Sequence, residues 1–171
     1  MDLSKLAPSD AVVALRGMER RYRGLFAGLG EDESPDDVAH RAVHGWSAIE
    51  HIVAAAWAIA AADRALATIT TADDPVLAAA DIEPDARPKP GAPTGTVHER
   101  LSELGLEANA AADRIESVPA GDWSRTAVVE GTGRTLSALD VARLAVDAAV
   151  TRLRAAEDVL GAVRRRPIEP T

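Results

Sequence analysis

Residues 47–70 read SAIEHIVAAAWAIAAADRALATIT, and this stretch decides the fold class. Ser47 and Glu50 have the spacing of a capping box, in which each side chain binds the backbone amide of the other residue at the start of a helix. Aliphatic side chains then recur at helical spacing: Ile49, Ile52, Val53, Ala56, Ile59 and Leu66. The sequence therefore predicts a helix from Ser47 to about Thr70 with one face in the core.

Three further segments have the same helical spacing of apolar residues, at about 8–29, 96–118 and 137–163. The second of them opens with another capping-box pair, Thr96 and Glu99. Alanine, the strongest helix former, supplies 36 of the 171 residues, whereas aromatic residues supply only 3%. Composition and spacing together predict an all-α protein whose helices pack closely through small side chains.

The connections between these helices predict how the helices are arranged. The stretch 71–95 contains five prolines and separates the second and third helices by 25 residues, which can span up to about 80 Å when extended. Antiparallel neighbours need only about 2 to 8 connecting residues. We therefore expect a four-helix bundle in which the second and third helices run parallel and 71–95 crosses over, although a disordered excursion would satisfy the same length. The bundle is expected to be one domain over 1–171, with its core at about 9–163 and a tail at 164–171.

Two other connections carry weaker patterns. Residues 31–45 are acidic and then contain histidine, and Ser34 with Pro35 can cap one or two short helical turns. Residues 120–134 combine Trp123 with two valines and several glycines. This composition suits either a folded loop or a short hairpin, and both alternatives stay open.

The charge balance and the lack of cysteine exclude several classes of function. The formal net charge of −8 means that the average surface repels nucleic acid and anionic membranes, so we expect neither as a partner. Zero cysteines exclude a disulfide framework, a thiolate zinc site and a protein-thiol nucleophile. The longest apolar run, Ile52 to Ala62, has eleven residues against the roughly 20 that cross a bilayer, and the first ten residues lack the pattern of a secretory signal. A cytoplasmic protein is the expectation.

Four histidines are the natural candidates for metal binding or catalysis: His40, His44, His51 and His98. His40 and His44 have the i,i+4 spacing that can hold one metal ion, but the segment before Gly45 need not be helical, and solvated loop histidines are the favoured interpretation. His51 points about 140° away from the aliphatic face of its helix, so we expect a surface or interface histidine. His98 lies in the first turn of the third helix, where an unassisted imidazole indicates no catalysis.

Further candidate residues are the three tryptophans and a row of polar residues on the fourth predicted helix. Trp46, Trp57 and Trp123 are expected to be packing anchors. On the fourth predicted helix, polar residues follow one another at steps of three or four: Asp140, Arg143, Asp147, Thr151, Arg154 and Asp158. The stripe indicates a solvated ladder of ion pairs. The alternative is that part of it lines an inward cleft, where Arg143 and Asp147 bind a polar ligand.

A series of short motifs resembles the DinB/YfiT-type four-helix bundles, the superfamily that includes mycothiol-dependent maleylpyruvate isomerases. In chain order the motifs are Gly45, Trp46, Ser47 and Glu50, then Asp122, Trp123 and Arg125, then Thr135, Leu136 and Ser137. The resemblance covers about residues 10–163. It implies a bundle with an up, down, down, up path, which agrees with the crossover expected from the length of 71–95.

The same resemblance implies a metal site. Members of the superfamily typically bind a divalent metal through three histidines, whose positions correspond here to Ala54, Asp147 and Thr151. Alanine has no donor and threonine is a poor one, so we expect that the site has been lost and that no metal cofactor is bound. His51 lies one turn before Ala54 and with Asp147 would supply two ligands, whereas catalytic zinc sites usually have three.

These observations leave two candidate functions. The first is a protein, dimeric through alanine-rich helix faces, that binds a small molecule or a partner in a cleft between the second and fourth helices. The cleft residues are predicted to be Trp46, Glu50, Trp57, Arg143, Asp147 and Thr151. The alternative is a metal-dependent, mycothiol-type thiol S-transferase or isomerase, with a displaced Zn or Ni site on His51, Asp147 and Glu50 and a low-molecular-weight thiol as cofactor. We expect the first.

Overall fold

The structure is a computed structural model, and it describes residues 5–30, 33–43, 45–82 and 95–165. Most of these residues are helical, so the predicted all-α character is confirmed in its broad form. The helices are α1 (Pro8–Arg16), α2 (Met18–Gly24), α3 (Pro35–His40), α4 (Ala48–Thr71), α5 (Ala79–Ile82), α6 (Val97–Ser117) and α7 (Ala138–Arg165). A 3₁₀ helix covers Ala120–Ser124, and one small sheet is formed by β1 (Val76–Leu77), β2 (Thr126–Val129) and β3 (Thr135–Ser137).

The predicted helix starts are confirmed by their capping contacts. At α4 the amide of Ser47 donates to the Glu50 carboxylate at 2.7 Å, and the amide of Glu50 donates to the Ser47 hydroxyl at 3.4 Å. Thr96 and Glu99 make the same pair of bonds at α6. Local side chains therefore satisfy the first backbone amides of these two long helices, as their sequence spacing predicts.

The first predicted helix is wrong as one continuous element. α1 ends at Arg16 and α2 begins at Met18, with Gly17 between them, and the chain then turns through Gly28 at a positive φ of 81°. Glycine is a poor helix former because its backbone loses the most freedom on ordering. Side chains of both pieces, including Leu15, Met18 and Tyr22, are nevertheless fully buried.

α4 is the most buried of the long helices, because it packs against both α6 and α7. Its aliphatic face lies in the core as predicted. Its alanine face is also buried inside the chain, where the fully or almost fully buried residues are Ala54, Ala55, Ala58, Ala61, Ala62 and Ala65. Neighbouring helices of the same chain therefore cover most of that face.

Contacts at the helix ends define their relative directions. Asp63, late in α4, accepts two hydrogen bonds at 2.5 and 3.1 Å from the guanidinium of Arg114, late in α6. Arg125, just after α6, donates to the carbonyl of Ile69 at 2.9 Å and to that of Ala72 at 2.6 Å. The C-terminal ends of α4 and α6 thus lie together, so these two helices run in the same direction.

The N-terminal helices run along α6 and α7. Arg16 at the end of α1 forms ion pairs with Asp113 and Glu116 near the end of α6, at 2.9 and 2.7 Å. Arg143, early in α7, donates to the carbonyl of Leu6 at 3.1 Å, and Arg164, late in α7, donates to that of Leu25 at 3.1 Å. The pair α1–α2 is therefore antiparallel to α6 and parallel to α7.

The sheet joins the two connections that follow α4 and α6. β1 pairs in parallel with β2, with Val76 opposite Val128, and β2 pairs with β3 as a hairpin. Of the two alternatives for 120–134, the hairpin is confirmed. β1 lies in the connection 71–95, for which no strand was expected; residues 83–94 of that connection, and 166–171 of the predicted tail, lie outside the described residues.

Within the described residues, α4 is one helix that is long and apolar enough to cross a membrane, with a mean hydropathy of 1.6 over its most apolar segment. However, 67% of that segment is buried within the protein. A core helix in a water-soluble protein has this combination of hydropathy and burial, since its apolar surface is covered by neighbouring helices.

Candidate functional site

A groove of about 270 Å³ lies between α4 and α7. Its floor is apolar because small alanines leave space between the two helices, and short aliphatic side chains close its sides. The apolar residues that line it are Ala58, Ala62, Ile82, Val141, Leu144 and Ala148. A concave apolar surface of this kind is the usual body of a small-molecule site.

Three polar side chains of α7 form the rim of the groove: Asp147, Thr151 and Arg152. Asp147 and Thr151 lie one turn apart on the same face of α7, whereas Arg152 is rotated by about 140° from Asp147 and contributes its long side chain to the lining of the groove. Asp147 and Thr151 are exposed, and Arg152 is half-buried. The rim therefore offers a carboxylate, a hydroxyl and a guanidinium beside an apolar floor.

Arg152 is held in place by an aromatic stack. Its guanidinium lies 4.3 Å from the centre of the Trp46 ring, within the range of a cation–π interaction. On the same indole the imidazole of His51 packs with its centre 5.1 Å away and its plane tilted by 31°. Since His51, Ala58 and Ala62 share one face of α4, this cluster lies along the groove, about two turns before Ala58.

His51 is buried, with 8% of its surface exposed. Burial, and to a smaller extent the positive charge of Arg152, lower the pKa of the imidazole to about 4, although the charge of Glu50 opposes the shift. Of the two predicted alternatives, a surface or an interface histidine, the first is wrong, because the side chain is buried within the chain and Trp46 packs against it. Its Nδ1 atom finds no hydrogen-bond partner among the described residues.

Tyr22 anchors α2 to α7 behind this cluster. Its side chain is fully buried, and its hydroxyl donates to the carbonyl of Ala149 at 2.8 Å. Burial raises the pKa of Tyr22, whereas the nearby charge of Arg152 lowers it. This hydrogen bond fixes α2 against the part of α7 that contains the groove residues Ala148 and Thr151.

Of the residues predicted to form the cleft, the structure brings Asp147 and Thr151 into the groove and places Trp46 against its arginine. Arg143 lies elsewhere, because its guanidinium bonds to the Leu6 carbonyl and lies 3.9 Å from Asp140. The carboxylate of Glu50 accepts hydrogen bonds from Ser47.

The other two tryptophans differ in their burial. Trp123 packs against the core as predicted, but Trp57 is 45% exposed on α4.

Arg152 is the polar groove residue that sequence reasoning missed. It lies outside the stripe that begins at Asp140, because it follows Asp147 by five positions rather than three or four. The available signal was Trp46, an aromatic residue directly before a helix cap, which needs a covering group once the helix is packed.

The donor atoms do not fit the metal site that the family resemblance implies. Ala54 is buried and has no donor, and Asp147 lies on an exposed rim. No group of three or more histidine, aspartate or glutamate side chains that could hold a metal ion occurs in the described residues. His40 is exposed, with its Nδ1 bonded to the Asp36 carbonyl at 2.7 Å, and its predicted partner His44 lies outside the described part of the chain.

A second cavity of about 450 Å³ lies between α2, α3 and α6 and includes Phe26, Pro35, Leu101 and the exposed His98. Its carboxylate, Asp36, accepts a hydrogen bond from the backbone amide of Val97 at 2.6 Å. That carboxylate therefore acts as a cap for α6. The other charged side chain that lines this cavity, Arg23, forms an ion pair with Glu19.

Comparisons with known proteins add no family to this description. No model of a known protein family matches the chain, and neither the curated proteins nor the solved structures yield a significant match.

Proposed function

We propose that this protein binds a small molecule in the groove between α4 and α7 and does so without a metal ion. The observation that carries the proposal is the groove itself, with its apolar floor and three polar side chains on one rim. Small-molecule sites are typically apolar with a few convergent polar groups that orient the ligand. The floor would bury the apolar body of the ligand, and Asp147, Thr151 and Arg152 would orient its polar part.

The proposal includes a four-helix bundle with an up, down, down, up path and membership of the DinB/YfiT-like superfamily. In this arrangement α1 and α2 together are the first helix, followed by α4, α6 and α7. The path is supported by the parallel directions of α4 and α6 and by the antiparallel packing of α1–α2 along α6. The superfamily is supported by the order of the short motifs around Trp46, Trp123 and Ser137.

A cytoplasmic location and a homodimer belong to the same proposal. The burial of the apolar segment of α4 supports a water-soluble protein, for which the cytoplasm is the proposed location. The dimer is supported by Trp57, an exposed aromatic side chain on a long helix, since such residues are common anchors in subunit interfaces.

Filling the groove is expected to abolish ligand binding. In Ala148→Leu the added side chain would occupy the space between α4 and α7, so fragments that bind the wild-type protein should no longer bind. Ligand-observed NMR with a library of small fragments measures this directly. The matched control is Ala155→Leu, two turns further along α7 and not part of the groove. The proposal fails if no fragment binds the wild type or if both variants bind alike.

The second candidate is the metal-dependent thiol S-transferase or isomerase. The observation in its favour is the buried Nδ1 of His51, which has no hydrogen-bond partner in the part of the chain that the structure describes. We expect protein purified without chelators to contain far less than one equivalent of Zn, Ni or Mn, because His51 and Asp147 are too few ligands for tight binding. Elemental analysis measures the content. A stoichiometric metal ion that is lost in His51→Ala and retained in His98→Ala would replace the first proposal by the second.

A further inference from the structure

We infer that the groove between α4 and α7 takes a zwitterion, an α-amino acid with an apolar side chain, whose ammonium group binds at Asp147 and whose carboxylate binds at Arg152. The inference rests on the proposed function, because it names the class of ligand for the same groove.

The charges on the rim point to a ligand that carries both signs. Asp147 supplies a carboxylate, and Arg152 is the cationic side chain among the described residues that line the groove. An apolar acid without an amine would be attracted by Arg152 but repelled by Asp147. An apolar amine without a carboxylate would be attracted by Asp147 but repelled by Arg152. A zwitterion is complementary to both charges at once, and Thr151 between them can accept from its ammonium group or donate to its carboxylate.

The two charges line one groove although they start from different sides of α7. Five residues along a helix correspond to a rise of about 7.5 Å and a rotation of about 140°. Arg152 nevertheless lines the groove together with Asp147, because its side chain is long. In an α-amino acid the nitrogen and the carboxyl carbon are about 2.5 Å apart. With a hydrogen bond of about 2.8 Å at either end, such a ligand can join side-chain groups about 8 Å apart.

Arg152 is prepared to bind a carboxylate. Its guanidinium carbon lies over the indole of Trp46, a contact that reduces the freedom that a flexible arginine would lose on binding. His51 is neutral at pH 7, because burial and the charge of Arg152 lower its pKa to about 4. The imidazole therefore adds no second positive charge beside the arginine.

The floor selects an apolar side chain of moderate size. Ala58, Ala62 and Ala148 present methyl groups, and the groove of about 270 Å³ holds the equivalent of about nine water molecules. A leucine- or phenylalanine-sized side chain would cover this floor, whereas a charged side chain would be desolvated there without a partner.

Three matched probes test the inference: L-phenylalanine, 3-phenylpropanoate, which lacks the amine, and 2-phenylethylamine, which lacks the carboxylate. Titrations by ligand-observed NMR at pH 7 give the three dissociation constants for the folded wild-type protein. We expect L-phenylalanine to bind at least about tenfold more tightly than either analogue, since it makes one more charge-assisted hydrogen bond than each of them.

Variants on the rim separate the two head groups. In Asp147→Asn the affinity for L-phenylalanine should fall about tenfold, while that for 3-phenylpropanoate should stay equal or rise because a repulsive charge is gone. Asp158→Asn, an exposed position three turns away with the same change in net charge, should leave all three affinities unchanged. Arg152→Lys keeps the positive charge without the planar fork and should weaken L-phenylalanine and 3-phenylpropanoate but not 2-phenylethylamine.

The outcomes distinguish this inference from the function on which it rests. If 3-phenylpropanoate binds as tightly as L-phenylalanine and Ala148→Leu abolishes that binding, the groove binds small molecules but the inference that its ligand is a zwitterion is overturned. If none of the three probes binds while library fragments do, the inference is overturned and the proposed function stands. If Asp147→Asn and Asp158→Asn have equal effects, the assignment of the ammonium group to Asp147 is overturned.

Discussion

Between pH 7 and pH 4 we expect the free energy of unfolding of the wild-type protein to fall by on the order of 3 kcal/mol more than that of the His51→Gln variant. Above pH 6.5 His51 is neutral in both the folded and the unfolded states, so its ionisation does not affect stability. As the pH falls through 6.5 the unfolded chain binds a proton, whereas burial and the charge of Arg152 hold the folded-state pKa at about 4. Stability is therefore lost between pH 6.5 and about 4, and the loss from this group is complete below that range.

Urea unfolding of the two proteins at several pH values measures the difference. Other groups titrate over the same range, and subtracting the His51→Gln curve removes their common contribution. His98→Gln is the matched control, because it makes the same substitution at an exposed histidine. Parallel curves for wild type and His51→Gln would show that the imidazole is not buried as described.

Replacing Arg125 by methionine is expected to destabilise the protein by about 2 kcal/mol. The guanidinium of Arg125 donates to the carbonyls of Ile69 and Ala72, which lie at the end of α4 and lack partners in the next helical turn. Methionine preserves the apolar stem and removes both hydrogen bonds. Chemical denaturation measures the loss, and hydrogen exchange should show faster opening of the last turn of α4.

Two other variants define what the Arg125 result means. Arg125→Lys keeps the charge but cannot reach both carbonyls with a planar fork, so an intermediate loss is expected. Arg154→Met makes the same change at an exposed position of α7 and should alter stability by less than about 0.5 kcal/mol. An Arg125→Met protein as stable as Arg154→Met would contradict the capping role.

The elements that sequence reasoning predicted well are those held by local contacts. The starts of α4 and α6 follow from Ser47 with Glu50 and Thr96 with Glu99, because a capping box involves residues only three positions apart. The hairpin of β2 and β3 was one of two alternatives for its segment. The break at Gly17 was missed because the apolar spacing continues across it, and spacing reports burial rather than backbone continuity.

The candidate site was predicted only in part. Asp147 and Thr151 were proposed from their spacing on one helix, and they lie on the groove rim. Arg143 was proposed with them, but its guanidinium is directed to the carbonyl of Leu6. Arg152 was missed, since its role depends on Trp46, a residue more than a hundred positions away in the chain.

The amino-acid sequence by itself determined that this protein is mainly helical, where its long helices start, and which aliphatic faces they bury, because these properties depend on residues within about one helical turn of each other. Only the tertiary structure decided that His51 is buried, that Arg152 lies over Trp46, and that β1 pairs with β2 across some fifty residues. Those contacts depend on which helix covers which face. An alanine-rich helix such as α4 can accept a neighbour on any side, so its sequence alone does not select one.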